Sequence, residues 1–197
     1  MSTTSDIHEL STADGRLTLR FDWSNDRFAH RVTMRRSGKH VEAPEPESEF
    51  LHLTSIEGGS TDDFPPSPAI QQLSSEVIEG RQMILGVGGS GTSHFSVSIQ
   101  VVEQDRTSRT GLQSDGLHFD WAVRLSKSGV DQVREMAQRG LAPLGSGYLG
   151  SRAVSIGAHA PSTLVDVPDL ADGARRVVAP IDLGARTVQW SYFIGAL

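Results

Sequence analysis

Two stretches of the chain place groups capable of chemistry at every second position. Residues 94–102 run His-Phe-Ser-Val-Ser-Ile-Gln-Val-Val, and residues 117–126 run Leu-His-Phe-Asp-Trp-Ala-Val-Arg-Leu-Ser. If both are strands, His94, Ser96, Ser98 and Gln100 share one face, and His118, Asp120 and Arg124 share another. Antiparallel pairing would set those two polar rows side by side. Two imidazoles and a carboxylate could then hold a divalent cation. Alternatively, a His–Asp pair could orient a general base, because histidine titrates near neutrality and a carboxylate selects its tautomer. Register decides the matter, since a slip of one residue sends every side chain to the opposite face. The same alternation is also what any solvated sheet face displays.

Other motifs promise less. Gly86-Val87-Gly88-Gly89-Ser90-Gly91 has the spacing of a dinucleotide-binding loop, but that loop requires a helix to begin at the glycines so that its N-terminus can hold a pyrophosphate. Here an alternating run follows, so the glycines are expected to form a turn or bulge between two strands. Neither a nucleophile elbow nor a phosphate-binding Gly-Lys-Ser/Thr loop surrounds Ser90 or Ser146, which are expected in turns. No His-x-His, His-Glu-x-x-His or EF-hand pattern occurs, and there is no cysteine. No metal site and no cofactor are therefore expected. His30 falls on the apolar side of its segment with Phe28 and Val32, which suits a hydrogen-bonded core histidine. His52 and His159 have no partner visible in the sequence. Glu57, Asp62 and Asp63 lack a glycine-centred ligand spacing and are expected to be solvated.

The elements that must position these residues are mostly strands. Leu17, Leu19, Phe21 and Trp23 alternate with Thr18, Arg20 and Asp22, and a Ser24-Asn25-Asp26 turn leads into a second alternating run, Arg27 to Arg35. This pair forms a hairpin that ends at another turn, Ser37-Gly38. Residues 42–49 are acidic and proline-spaced, which predicts an exposed loop. Phe50 to Ile56 resumes an apolar stretch. Residues 69–78 fit either a helix or a strand, and the alternation downstream favours a strand. Phe95, Val97, Ile99 and Val101 face inward on one strand, and Leu117, Phe119, Trp121, Val123 and Leu125 on the next, with a polar connection between them. One short peripheral helix is predicted near residues 129–139, with Ser128 as its cap, Val130, Val133, Met136 and Ala137 as its stripe and Gly140 as its stop. Weaker strands are expected at Ala153 to Ile156 and Arg175 to Ala179, and a final one at Thr187 to Ile194. Phe-Asp-Trp occurs at residues 21–23 and again at 119–121, which hints at equivalent positions in two sheets without establishing a repeat.

With 197 residues, 37% hydrophobic and 21% charged, the chain suits one β domain spanning 1–197, with residues 1–6 expected to be disordered. The expected fold is mostly β: a single-domain antiparallel β-sandwich, with jelly-roll or barrel-like closure as the alternative. A net charge of −6 with scattered Lys and Arg argues against nucleic acid as a partner. The N-terminus lacks the basic start and apolar run of a signal peptide, and no apolar run is long enough to span a bilayer. A cytoplasmic, membrane-free protein is the expectation.

The preferred function is a non-catalytic β-sandwich binding or assembly module, not an enzyme. Its partner would be a small molecule, a carbohydrate or a protein, and a homo-oligomer is compatible with it. Its ligand-binding face would carry His94, Ser96, Ser98, His118, Asp120 and Arg124. The alternative is a metal-assisted or general-base hydrolase using His94, His118 and Asp120.

Overall fold

A computed structural model describes residues 8–36, 49–59, 61–103, 115–181 and 185–196. Thirteen strands among them form two antiparallel sheets: β1 (His8–Ser11), β2 (Leu17–Ser24), β3 (Arg27–Arg35), β4 (Phe50–Ser55), β5 (Gln72–Ile78), β6 (Arg81–Ser90), β7 (Ser93–Val102), β8 (Gly116–Arg124), β9 (Gly145–Gly150), β10 (Val154–Ala158), β11 (Thr163–Asp166), β12 (Arg175–Val178) and β13 (Thr187–Ala196). Seven strands make one sheet in the order β1-β2-β3-β4-β9-β12-β11, and six make the other in the order β10-β13-β8-β7-β6-β5. Neither sheet closes on itself. The expected antiparallel sandwich is the fold, without a barrel.

The predicted alternation accounts for the core between the sheets. Leu17, Leu19 and Phe21 of β2 and Val32 and Met34 of β3 point inward from the first sheet, while Phe95, Val97 and Ile99 of β7 and Leu117, Phe119, Trp121 and Val123 of β8 do so from the second. Trp190, Tyr192 and Ile194 of β13 complete that face, and β13 lies between β10 and β8 rather than at an edge. A row of polar contacts crosses the same core. Tyr148 of β9 and Tyr192 of β13 join the sheets hydroxyl to hydroxyl. Tyr148 also meets His30 Nε2 at 2.9 Å, Trp121 Nε1 donates to the Tyr192 hydroxyl at 2.9 Å, and Trp190 Nε1 donates to Ser146 Oγ at 3.1 Å. Buried polar groups persist where each finds such a partner. His30 is the hydrogen-bonded core histidine that its apolar neighbours suggest.

Several local expectations need correction. The glycine segment is not a turn: Gly86, Gly88, Gly89 and Ser90 belong to β6, and the turn comes at Gly91, where φ is +55°. The strand continues because the chain at residues 69–71 packs directly on it. Gln71 completes the pairing with its side chain, donating from Nε2 to Gly89 O and accepting from Gly89 N at Oε1. Ser146 is likewise a strand residue, in β9, and Ser90 ends β6 and donates to Asp62 O. The helix α1 spans Lys127–Gln138 and is capped by Ser126, whose side chain accepts from Gly129 N, rather than by Ser128. Residues 72–78 are a strand. The two Phe-Asp-Trp copies lie in different sheets but are not equivalent, since Trp121 is buried and Trp23 is 55% exposed at the end of its hairpin. The expected disorder at 1–6, the Ser37-Gly38 turn and all of the acidic loop except Glu49 lie outside the described residues. Glu49 is exposed.

Candidate functional site

The strands β7 and β8 pair antiparallel with His94 opposite Arg124, Ser96 opposite Ala122, Ser98 opposite Asp120 and Gln100 opposite His118. All six residues of the predicted face therefore lie on the outer side of the six-stranded sheet. They do not all converge. His94 and His118 are three cross-strand rows apart, about 20 Å along strands that rise about 3.4 Å per residue. His94 sits with Arg124 at one end of the face, and His118 with Asp120 toward the other.

Between those ends lies a shallow trough of about 580 Å³, bordered by Leu85, Val87, Ser96, Ser98, Asp120, Ala122, Gln189 and Ser191. Its shape follows from side-chain size. Adjacent rows across β6, β7, β8 and β13 read Val87, Ser96, Ala122, Gln189 and Leu85, Ser98, Asp120, Ser191. Ser96, Ser98 and Ala122 thus floor the middle, with Val87 and Leu85 on one side and Gln189 and Asp120 on the other. Ser and Ala reach little beyond the pleat, which leaves hydroxyls and backbone at the bottom of the trough. A second depression, of about 520 Å³, adjoins His94 and Arg124 and is bordered also by Thr92, Ser126 and Arg186.

At the His118 end the structure brings in a residue without any sequence signal. His159 follows β10, and its backbone N–H donates to Ser191 O at 3.0 Å, extending the ladder with β13. That step places His159 Nδ1 3.3 Å from His118 Nε2 and 3.3 Å from Ser191 Oγ. On its other side, His118 Nδ1 lies 3.2 Å from Asp120 Oδ2. Partial burial lowers the His118 pKa; Asp120 opposes that shift and His159 reinforces it. A neutral His118 protonated on Nδ1, beside the carboxylate, can present the Nε2 lone pair to His159. Gln189, Ser191 and His159 were missed because β13 could not be placed beside β8 from the sequence. The only available clue was that Gln189 and Ser191 face opposite to Trp190 and Tyr192. Among the described residues, no group of three or more His, Cys, Asp or Glu side chains is arranged to hold a metal ion.

A second polar cluster lies beneath the connection between β4 and β5. Glu57, expected to be solvated, is instead largely buried. Its Oε1 accepts from Ser55 Oγ at 2.5 Å, and Oε2 has no hydrogen-bond partner. Burial pushes its carboxyl up to about 7, against the pull of Ser55 and Arg27. Arg27, almost wholly buried, is held by Asp26 at 3.0 and 3.2 Å and by Gly59 O at 2.9 Å. Asp62 and Asp63 are exposed, as expected. The Glu57 carboxyl is largely buried, so the outer sheet face is the candidate site.

No family model, curated protein or solved structure matches this chain.

Proposed function

We propose that this chain is a non-catalytic binding module whose ligand lies in the trough on the outer face of the six-stranded sheet. The supporting observation is the trough itself, a shallow depression of about 580 Å³ over strands whose opposite face packs in the core. Its polar groups are the hydroxyls of Ser96, Ser98 and Ser191, the amide of Gln189 and the carboxylate of Asp120. This donor and acceptor set suits a hydroxyl-rich ligand such as a mono- or disaccharide better than a highly charged one. The carboxylate disfavours an anionic ligand.

Titration of the isotope-labelled protein with a panel of neutral mono- and disaccharides, followed by amide chemical shifts, tests the reading. Saturable shifts confined to β6, β7, β8 and β13, abolished by Ser98→Trp, are the expected result. A panel that produces no saturable shift, or shifts unaffected by Ser98→Trp, would remove the trough as a ligand site.

A hydrolase is the second reading, favoured by the Asp120–His118 contact and by Ser191 Oγ lying within reach of His159 Nδ1. His94 would have no part in it, because of its separation from the cluster. Activated ester substrates separate the two readings: turnover abolished by His118→Ala and Ser191→Ala would establish the enzyme, whereas the binding module shows no turnover dependent on either residue.

A further inference from the structure

His118 and His159 approach each other at a nitrogen–nitrogen distance that two ligands to one ion would also have. Their facing nitrogens, His118 Nε2 and His159 Nδ1, are 3.3 Å apart, and the ring centroids are 5.0 Å apart with 30° between planes. Two imidazole nitrogens bound at about 2.0–2.1 Å with a tetrahedral angle at the metal stand about 3.3 Å apart, and their ring centres about 5 Å apart. An in-line N–H···N hydrogen bond of the same length would put the ring centres about 5.6 Å apart, because each ring extends straight back from its nitrogen. The observed 5.0 Å, with the rings lying stacked at 30° between planes, is the shorter of these two separations.

The surroundings supply what such a pair needs. Asp120 Oδ2 sits on Nδ1 of His118, the side away from His159. A negative carboxylate at that distance favours the proton on Nδ1 by charge and leaves Nε2 free as the ligand, as a support behind a metal-bound histidine does. Ser191 Oγ, 3.3 Å from His159 Nδ1, adds an oxygen at the same spot. The cluster is accessible from solvent: the His118 side chain keeps 18% of its exposure, Asp120 keeps 51%, and His159 is exposed.

We propose that His118 Nε2 and His159 Nδ1 form a two-imidazole site for a borderline divalent transition metal of the Zn²⁺ or Cu²⁺ type, with Asp120 as the positioning residue behind His118. Imidazole selects such ions over Mg²⁺ and Ca²⁺, which take oxygen ligands. Two protein nitrogens leave coordination positions open, and water fills them in the free protein. The site does not depend on a ligand in the neighbouring trough.

The full chain, purified without a histidine tag and stripped with chelator, is titrated calorimetrically with Zn²⁺ and with Cu²⁺. The expected result is one ion per chain, with His118→Ala and His159→Gln each weakening binding by at least about 10-fold. Asp120→Asn is expected to weaken it about 10–100-fold, the usual effect of losing a support behind a ligand, while His94→Ala leaves it unchanged. Exposure of His159 makes His159→Gln safe for the fold, which an unchanged metal-free melting temperature confirms. Electron paramagnetic resonance of the Cu²⁺ form should show coupling to two nitrogens, and to one in His159→Gln. Absence of stoichiometric binding at millimolar metal, binding that survives His159→Gln at full strength, or equal binding of Mg²⁺ would overturn the proposal. Ser98→Trp, which tests the trough, leaves both imidazoles intact, so each site can fail without the other.

Discussion

Glu57 and His30 are buried in ways that oppose one another as pH changes. The folded protein keeps a proton on Glu57 up to about 7, whereas an unfolded glutamate releases it near 4.5. Stability is therefore lost as pH rises through that window. Burial lowers His30 to about 3 from an ordinary 6.5. The unfolded chain thus takes up a proton that the folded one refuses, and stability is lost as pH falls from 6.5 toward 3. The two slopes oppose one another between about 4.5 and 6.5, so the Glu57 contribution stands alone only from about 6.5 to 7. Glu57→Gln retains an acceptor for Ser55 without the charge and should abolish the neutral-side decline. The gain above pH 7 is at most about 3 kcal/mol, the free energy of the displaced titration. Urea unfolding at stepped pH measures it, and an unchanged decline in Glu57→Gln would place the titrating group elsewhere. Tyr148→Phe leaves His30 Nε2 and the Tyr192 hydroxyl each without one partner inside the core. The expected cost is about 1–3 kcal/mol in denaturant midpoint terms, with no change of fold. Of these residues, only His30 was legible in the sequence, through its alternation with Phe28 and Val32. Glu57 resembles any loop carboxylate until the chain folds over it.

At the level of elements, alternation was readable wherever one face of a strand met the core and the other met solvent. That condition holds for β2, β3, β7, β8 and β13, and each was found close to its observed bounds. It fails for β9, an interior strand between β4 and β12 whose sequence, Gly-Ser-Gly-Tyr-Leu-Gly, offers one large inward side chain and no pattern. The glycines of β6 misled for a related reason. Glycine commonly marks turns, but at Gly88 it serves close packing: a Cβ there would stand 2.2 Å from Ala69 O and 2.8 Å from Gln71 N. Gly88→Ala should therefore cost about 1–3 kcal/mol or more, as overpacking does. Gly157→Ala on β10, where an added Cβ would meet nothing within 4 Å, should change stability little. Thermal denaturation of the pair checks the contrast. Equal melting temperatures for the two variants would mean that the β6 backbone shifts freely away from residues 69–71.

Across the whole molecule, the two sheets depend on each other through β13. It carries Trp190, Tyr192 and Ile194 into the core, pairs with both β10 and β8, and links to the opposite sheet through Tyr148 and Ser146. Removing residues 187–197 should prevent folding rather than trim an end, with loss of the β signal in circular dichroism and rapid proteolysis. A truncated chain that stays folded would show the remaining strands to be sufficient. From the sequence alone followed the β class, the sandwich, the absence of thiol chemistry and the composition of one polar sheet face, because period-two alternation and residue counts need no knowledge of neighbours. Tertiary structure decided what that face can do. Alternation along β8 already put Asp120 beside His118, whereas register left His94 about 20 Å away. The pairing of β10 and β13 brought His159 to within 3.3 Å of His118, a meeting of residues 41 positions apart. Distances of that kind come from which strands become neighbours, and strand order is set by the burial of the whole core rather than by any local pattern of residues.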